Sequence, residues 1–384
     1  MSRQNGTKAI TNCQLVLENG IIWDATLLIS NDKIAGFGPA REIEIPSDAE
    51  IIDAKGKYVG PGFIDIHVHG GNGYLTYSEP VEAAKFFLKH GATSILATPS
   101  YDLDFDGQIA AIRTIKEGMK TAKTIKGIYM EGPYTNPRFG SHSYANPWRH
   151  PITADEYKPI IDEAGKYAKV WTVAPELDGI DEVVKYAKEV NPDTIFAVGH
   201  SDATPAQIRA LGKNRPRIIT HITNATGMQP APVRSFGPDE YALKDPEVYA
   251  ELISDSMAIH VNPEMQRYIL KGKGIDKVIL ITDSTVHYDP VPERFAHVTD
   301  LNFDAKGGIA GSKITMNQAC RNIMKHTSCG ITEAFLMASR NPARLLGLDG
   351  EIGSIEVGKT ADLVIVNDKF DVRKVILGGK ICVF

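Results

Sequence analysis

Short apolar runs, most of them closed by a polar or charged residue, recur through the middle of the chain. Eight can be counted, at residues 63–69, 93–99, 125–131, 170–176, 194–200, 217–222, 251–261 and 278–283. Runs of this length and composition read as strands buried on both faces, as in a parallel sheet. Between most of them lie segments with apolar positions at helical spacing, at 81–90, 108–122, 154–168, 181–189 and 205–211. Parallel strands need long, usually helical crossovers, and eight is the strand number of a (β/α)8 TIM barrel. The rival is an open doubly wound sheet. Against it, no GxGxxG follows the first strand and neither GxxxxGKS nor GxxxxGKT occurs, so the phosphate cradles common in that fold are missing.

The two ends of the chain alternate differently. Strands with turn punctuation are predicted at 9–17, 20–30, 33–37 and 50–53, and again at 354–357, 361–366 and 372–383, with Gly378-Gly379 as a hairpin turn. The expected arrangement is a small β-sandwich domain built from both termini, residues 1–59 and 350–384, flanking a barrel over residues 60–349. The length of 384 residues suits this, since an α/β barrel reaches about 250 residues as one unit.

Composition narrows the function. Forty-two Lys and Arg stand against 47 Asp and Glu, a net charge of −5, which argues against nucleic-acid or anionic-membrane partners recruited by bulk charge. No apolar run approaches the roughly 20 residues of a membrane span, and residues 1–10 carry no apolar signal core. Cys13, Cys320, Cys329 and Cys382 are dispersed without CxxC spacing, so neither a disulfide framework nor a thiolate metal site is indicated. A cytoplasmic location is expected.

The informative feature is which residues close the eight runs: His67 and His69, Glu131, His200, His221 and Asp283. In a barrel these positions share the carboxyl-terminal face, where active sites of this fold are built. Imidazoles and carboxylates converging there suit a divalent cation. Alternation puts both imidazoles of His67-Val68-His69 on one face of the strand, followed by the permissive Gly70-Gly71-Asn72-Gly73 loop. Each histidine alone could be a hydrogen-bonded strand end and Asp283 alone a helix cap, but five of eight runs ending in ligand-type residues favours a metal site. Asp283 could take a proton from an attacking water and return it to the leaving group. His260, read as ending the seventh strand, could donate a hydrogen bond to a carbonyl oxygen as charge develops. His90, His150, His297 and His326 lack this context and are read as surface or packing residues.

Several segments carry a family resemblance. Pro61-Gly-Phe-Ile-Asp-Ile-His-Val-His, Gly127-Ile-Tyr-Met-Glu-Gly-Pro-Tyr, Thr172-Val-Ala-Pro-Glu, Gly199-His-Ser-Asp-Ala-Thr, Thr220-His-Ile-Thr-Asn-Ala and Ile281-Thr-Asp resemble the N-acetylglucosamine-6-phosphate deacetylases of the amidohydrolase superfamily. Asn341-Pro-Ala-Arg-Leu-Leu-Gly and Gly358-Lys-Thr-Ala-Asp-Leu-Val resemble the superfamily's ending. The resemblance implies hydrolysis of the acetamide of an amino-sugar 6-phosphate, with one or two divalent ions per subunit. Zinc is the expected ion, and iron, manganese and cobalt also suit such ligands. It further implies that Glu131, His200 and His221 hold the main ion, that His67 and His69 are the extra pair for a second, and that Asp283 is both ligand and acid/base. By the same resemblance His260 polarises the acetyl carbonyl and His142, Asn224, Ala225, Ile309, Ala310 and Gly311 contact substrate. A homodimer is implied as well. The chain departs from the family where Thr226 replaces a methionine, where residues 232–238 replace a stretch bearing a phosphate-binding arginine, leaving Arg234 as the replacement candidate, and where Met257-Ala258 replaces Asp-Gly. These departures surround sugar and phosphate, so N-acetylgalactosamine 6-phosphate or another N-acyl substrate is the alternative.

Overall fold

The computed structural model describes residues 6–227, 237–287 and 289–384. Its centre is a sheet of eight parallel strands: Phe63–Val68, Ala92–Ala97, Ile125–Met130, Ala168–Val173, Ile195–Val198, Ile218–Ile219, Tyr249–Ile253 and Val278–Ile281, each paired with the next in sequence order. Helices Pro80–Lys89, Phe105–Thr121, Ala154–Ala164, Ile180–Val190, Pro205–Ala210, Pro238–Lys244 and Pro263–Lys273 form the crossovers.

Along the strands, successive side chains enter two different apolar clusters. Ile64, Ile66, Leu96, Tyr129, Val170, Ala197, Ile218 and Ile279 fill the barrel interior, while Phe63, Val68, Ile95, Ile128, Trp171, Phe196 and Leu280 face the helices. Burial on both faces is why these strands are apolar throughout. The eighth strand meets the first through polar groups. The Thr282 hydroxyl donates to Asp65 Oδ2 at 2.6 Å, its N–H to Oδ1 at 3.3 Å, and the Asp283 N–H donates to the His67 carbonyl at 3.0 Å. Burial pushes the Asp65 carboxyl up to about 7, against the pull of the Thr282 bonds.

The expected terminal β domain is one continuous seven-stranded sheet. From edge to edge its strands are Lys380–Ile381, Val372–Leu377, Leu363–Val366, Glu50–Pro61, Lys8–Leu17, Gly20–Ser30 and Lys33–Pro39. One face encloses its own cluster, with Ile10, Leu15, Leu27, Ile29, Ile52, Leu363 and Ile365. Val16, Val364 and Val366 point the other way, into the barrel's helix-facing cluster. Glu50–Pro61 runs into the first barrel strand with only Gly62 between them, where a Cβ would lie 2.1 Å from Thr93 Oγ1. Segment 354–357 is not a strand. Gly353 and Gly358, both with φ of 91°, turn the chain on either side of it, and Ile355 is buried in the small cluster.

The seventh strand is shorter than its apolar run. It ends at Ile253, and His260 lies on the following loop. Asp255 ends the ladder: its carboxylate accepts the N–H groups of Ile259 at 2.8 Å and His260 at 3.0 Å, and its carbonyl accepts that of Ala258. Such local side-chain bonds compete with strand pairing.

Replacing Asp65 by alanine strands two buried donors of Thr282. This should lower the unfolding free energy by about 1–3 kcal/mol, seen as an earlier urea midpoint. An unchanged midpoint would show that the seam does not depend on this carboxylate.

Candidate metal centre and active site

The ligand-type residues sit within two positions of barrel strand ends and converge on one point. Glu131 Oε1 lies 3.0 Å from His200 Nε2, 3.0 Å from His221 Nε2 and 3.4 Å from His67 Nε2. Its other oxygen lies 3.1 Å from His69 Nε2. Asp283 Oδ1 is 3.3 Å from His69 Nε2 and 3.8 Å from His67 Nε2. Two potential ligand groups result, Glu131 with His200 and His221, and His67 with His69 and Asp283.

Each imidazole is held from behind. His67 Nδ1 is 3.2 Å from Glu251 Oε2, and the Nδ1 atoms of His69, His200 and His221 lie 3.1, 3.3 and 3.2 Å from the carbonyls of Thr98, Phe139 and Asn224. A carbonyl or carboxylate can only accept, so Nδ1 donates and the lone pair falls on Nε2. The four Nε2 atoms then face two carboxylates, acceptor against acceptor. His200 Nε2 and His221 Nε2 stand 3.2 Å apart, and His67 Nε2 is buried without a hydrogen-bond partner among the described residues. A cation held by either group relieves that opposition, so the residues fit a divalent metal.

Without a metal, protons take that place. Burial disfavours charge on His67 and His69, but for His67 the charge of Glu131 and for His69 its bonds to Asp283 and Glu131 outweigh it. His67 is lifted well above its usual value and His69 to about 9. Burial would raise Glu131 too, yet His67, His200 and His221 hold it well below the usual carboxylate range.

The backbone here is strained. His200, His221 and Asp283 have φ of 47°, 27° and 46°, a left-handed region unfavourable for side-chain-bearing residues and concentrated at functional sites. Gly140, at φ 97°, leaves room for the His200 ring, since a Cβ there would approach it to 2.6 Å.

A cavity of about 250 Å³ opens above the ligands. Asn224, Ala225, His260, Ile309, Ala310 and Gly311 line it with His69, Glu131, His200, His221 and Asp283. His67 is fully buried beneath. His260 faces the cavity backed by Asp255 Oδ1, 3.2 Å from its Nδ1. His142 is not among the lining residues: its Nε2 is 3.1 Å from Asp289 Oδ2 and its ring stacks on His287, which does line the cavity. Arg234 lies outside the described residues.

Several members of this site escaped the sequence reading. Glu251 and Asp65 are carboxylates inside runs read as apolar, and a charge in the middle of a buried strand was the available signal. Tyr101, whose ring packs 4.8 Å from that of His200, and His287 carry no local pattern and come close only through the fold.

The family model described as "Amidohydrolase family" matches residues 58–382. An N-acetylglucosamine-6-phosphate deacetylase of Bacillus subtilis (strain 168) is 30% identical, over 97% of this chain and 96% of its own. An N-acetylgalactosamine-6-phosphate deacetylase of Escherichia coli O157:H7 is 28% identical, over 97% and 98%. Among solved structures, N-acetylglucosamine-6-phosphate deacetylase from Pasteurella multocida superposes with a TM-score of 0.84 at 25% identity, covering 98% of this chain and 100% of that one. With the matched model spanning the whole barrel and the carboxy-terminal strands of the sheet, the chain belongs to the amidohydrolase family.

Proposed function

We propose that the protein hydrolyses the acetamide of N-acetylglucosamine 6-phosphate, releasing acetate and glucosamine 6-phosphate. The observation that carries this reading is the set of outward-tethered imidazoles facing Glu131 and Asp283 at the floor of a small cavity. An amide is a poor electrophile, and one or two divalent ions held by Glu131, His200 and His221 and by His67, His69 and Asp283 would supply Lewis-acid polarisation of the carbonyl and activation of water.

The chain's own residues do the rest. Asp283, held in the left-handed region at the mouth of the eighth strand, takes the proton of the attacking water and delivers it to the departing amine. As an imidazolium, with its Nδ1 proton held by Asp255, His260 donates a hydrogen bond from Nε2 to the amide oxygen as negative charge grows there. Asn224, Ala225, Ile309, Ala310 and Gly311 border the sugar, with His142 beyond them, oriented by Asp289. No lysine or arginine is among the described lining residues, so Arg234 remains the candidate for the phosphate. Zinc as the ion, a homodimer and a cytoplasmic location complete the proposal. No described helix is long and apolar enough to cross a membrane.

A second reading, N-acetylgalactosamine 6-phosphate as substrate, is favoured by the near-equal identity to relatives acting on either epimer.

Acetate release from both 6-phosphates and from unphosphorylated N-acetylglucosamine separates these readings. Turnover of one phosphate ester well above the other two substrates is expected and assigns the epimer; metal-loaded protein that cleaves none of them would sink the proposal. Asp283→Asn should lower kcat by about 10²- to 10⁴-fold, and unchanged turnover would remove Asp283 from the mechanism. Because His69 holds a proton up to about pH 9 in the metal-free cluster, metal must displace it. Zinc affinity should therefore rise with pH across the range from about 6 to about 9, in titrations at fixed free zinc; a flat profile over that range would contradict the assignment.

A further inference from the structure

One buried carboxylate beside the ligands has no part in the chemistry above. Glu251 is the central residue of Tyr249–Ile253 and has no exposed surface. Its Oε2 lies 3.2 Å from His67 Nδ1 and accepts the His221 N–H at 3.3 Å. Its Oε1 is buried with no hydrogen-bond partner among the described residues. A buried carboxylate left half-satisfied is disfavoured unless nearby positive charge compensates it.

The four imidazoles are therefore not equivalent. Three are tethered by neutral carbonyls, those of Thr98, Phe139 and Asn224, and only His67 by a carboxylate. Either tether fixes the tautomer, but a charged acceptor also raises the electron density on the opposite nitrogen and so its strength as a ligand. His67 is also the most enclosed, fully buried with the Tyr129 ring 4.5 Å from its own. Three carboxylates, Glu131, Asp283 and Glu251, thus crowd one set of imidazoles, more negative charge than a single divalent cation neutralises.

We propose that Glu251 is a positioning residue for a second cation. Through His67 Nδ1 it strengthens the subsite of His67, His69 and Asp283, and through the His221 N–H it ties that subsite to the one formed by Glu131, His200 and His221. The proposal rests on the metal-ligand reading above.

The test uses metal-stripped protein equilibrated with Zn²⁺ alone, with bound metal read by elemental analysis across free zinc concentrations. Wild-type protein should take up two ions with separable affinities. Glu251→Gln keeps an acceptor oxygen for both donors and removes the charge, so it should weaken the second ion by about 10- to 100-fold and leave the first unchanged. Glu251→Ala should lose the second ion altogether, with circular dichroism checking that it folds. A merely structural role would weaken both ions together, and that result would overturn the proposal, as would a Gln variant identical to wild type or a wild type that binds a single ion. Wild-type protein that binds no ion would instead overturn the ligand reading itself.

Discussion

Six acceptors pressed together, which only a cation or added protons can reconcile, are the constraint on which this molecule turns. Left alone, the Nε2 atoms of His67, His69, His200 and His221 and the carboxylates of Glu131 and Asp283 would repel, and each could relieve the conflict by rotating away. The barrel denies them that freedom. Every imidazole is pinned at Nδ1, three of the four by groups distant in sequence, and three of the six residues are held in backbone conformations that a free chain would leave. The site is therefore organised before anything binds to it, which is what rapid capture of an ion and a fixed approach for water both need.

Much of this was legible because burial on two faces leaves a strong trace. A strand with the barrel interior on one side and helices on the other cannot alternate with polar residues, so the eight runs stood out and their closing residues supplied the ligand candidates that the fold brings together. What pattern could not show were interactions that act locally or only across the fold. Hydrophobicity continued through Ala258-Ile259 and carried the seventh strand too far, because the Asp255 turn that ends it is written in hydrogen bonds. Glu251 and Asp65 were hidden for the opposite reason: a single charge within an apolar run looks like noise until its partner, His67 or Thr282, is placed beside it. The meeting of His142 with Asp289 and His287 spans more than 140 residues of sequence and leaves no spacing to read.

The two apolar clusters on either face of Leu363–Val366 explain how the terminal sheet stays attached to the barrel. Leu363 and Ile365 belong to one and Val364 and Val366 to the other, so a single four-residue strand is shared property of two cores. The rings of Phe63, Phe335 and Phe370, with centroids 5.3–6.2 Å apart, reinforce that junction beneath the first barrel strand. Position at the metal centre is in this way referred back to packing at the far end of the same strand.

That shared strand also orders events in time. Leu363–Val366 pairs with Glu50–Pro61, with Leu363 opposite Pro61 and Val366 opposite Tyr58, and the second partner is made long after the first. Until the later strand has emerged from the ribosome, the earlier strands have an open edge and an apolar face without its lid. The barrel strands between them can pair with sequence neighbours as they emerge, whereas the terminal sheet must wait for closure of a loop of about 300 residues, and such long closures are slow. The nascent chain therefore passes through a stage in which the catalytic half is largely assembled while its companion sheet is exposed, the interval in which this protein is most open to mispairing and to the attention of chaperones.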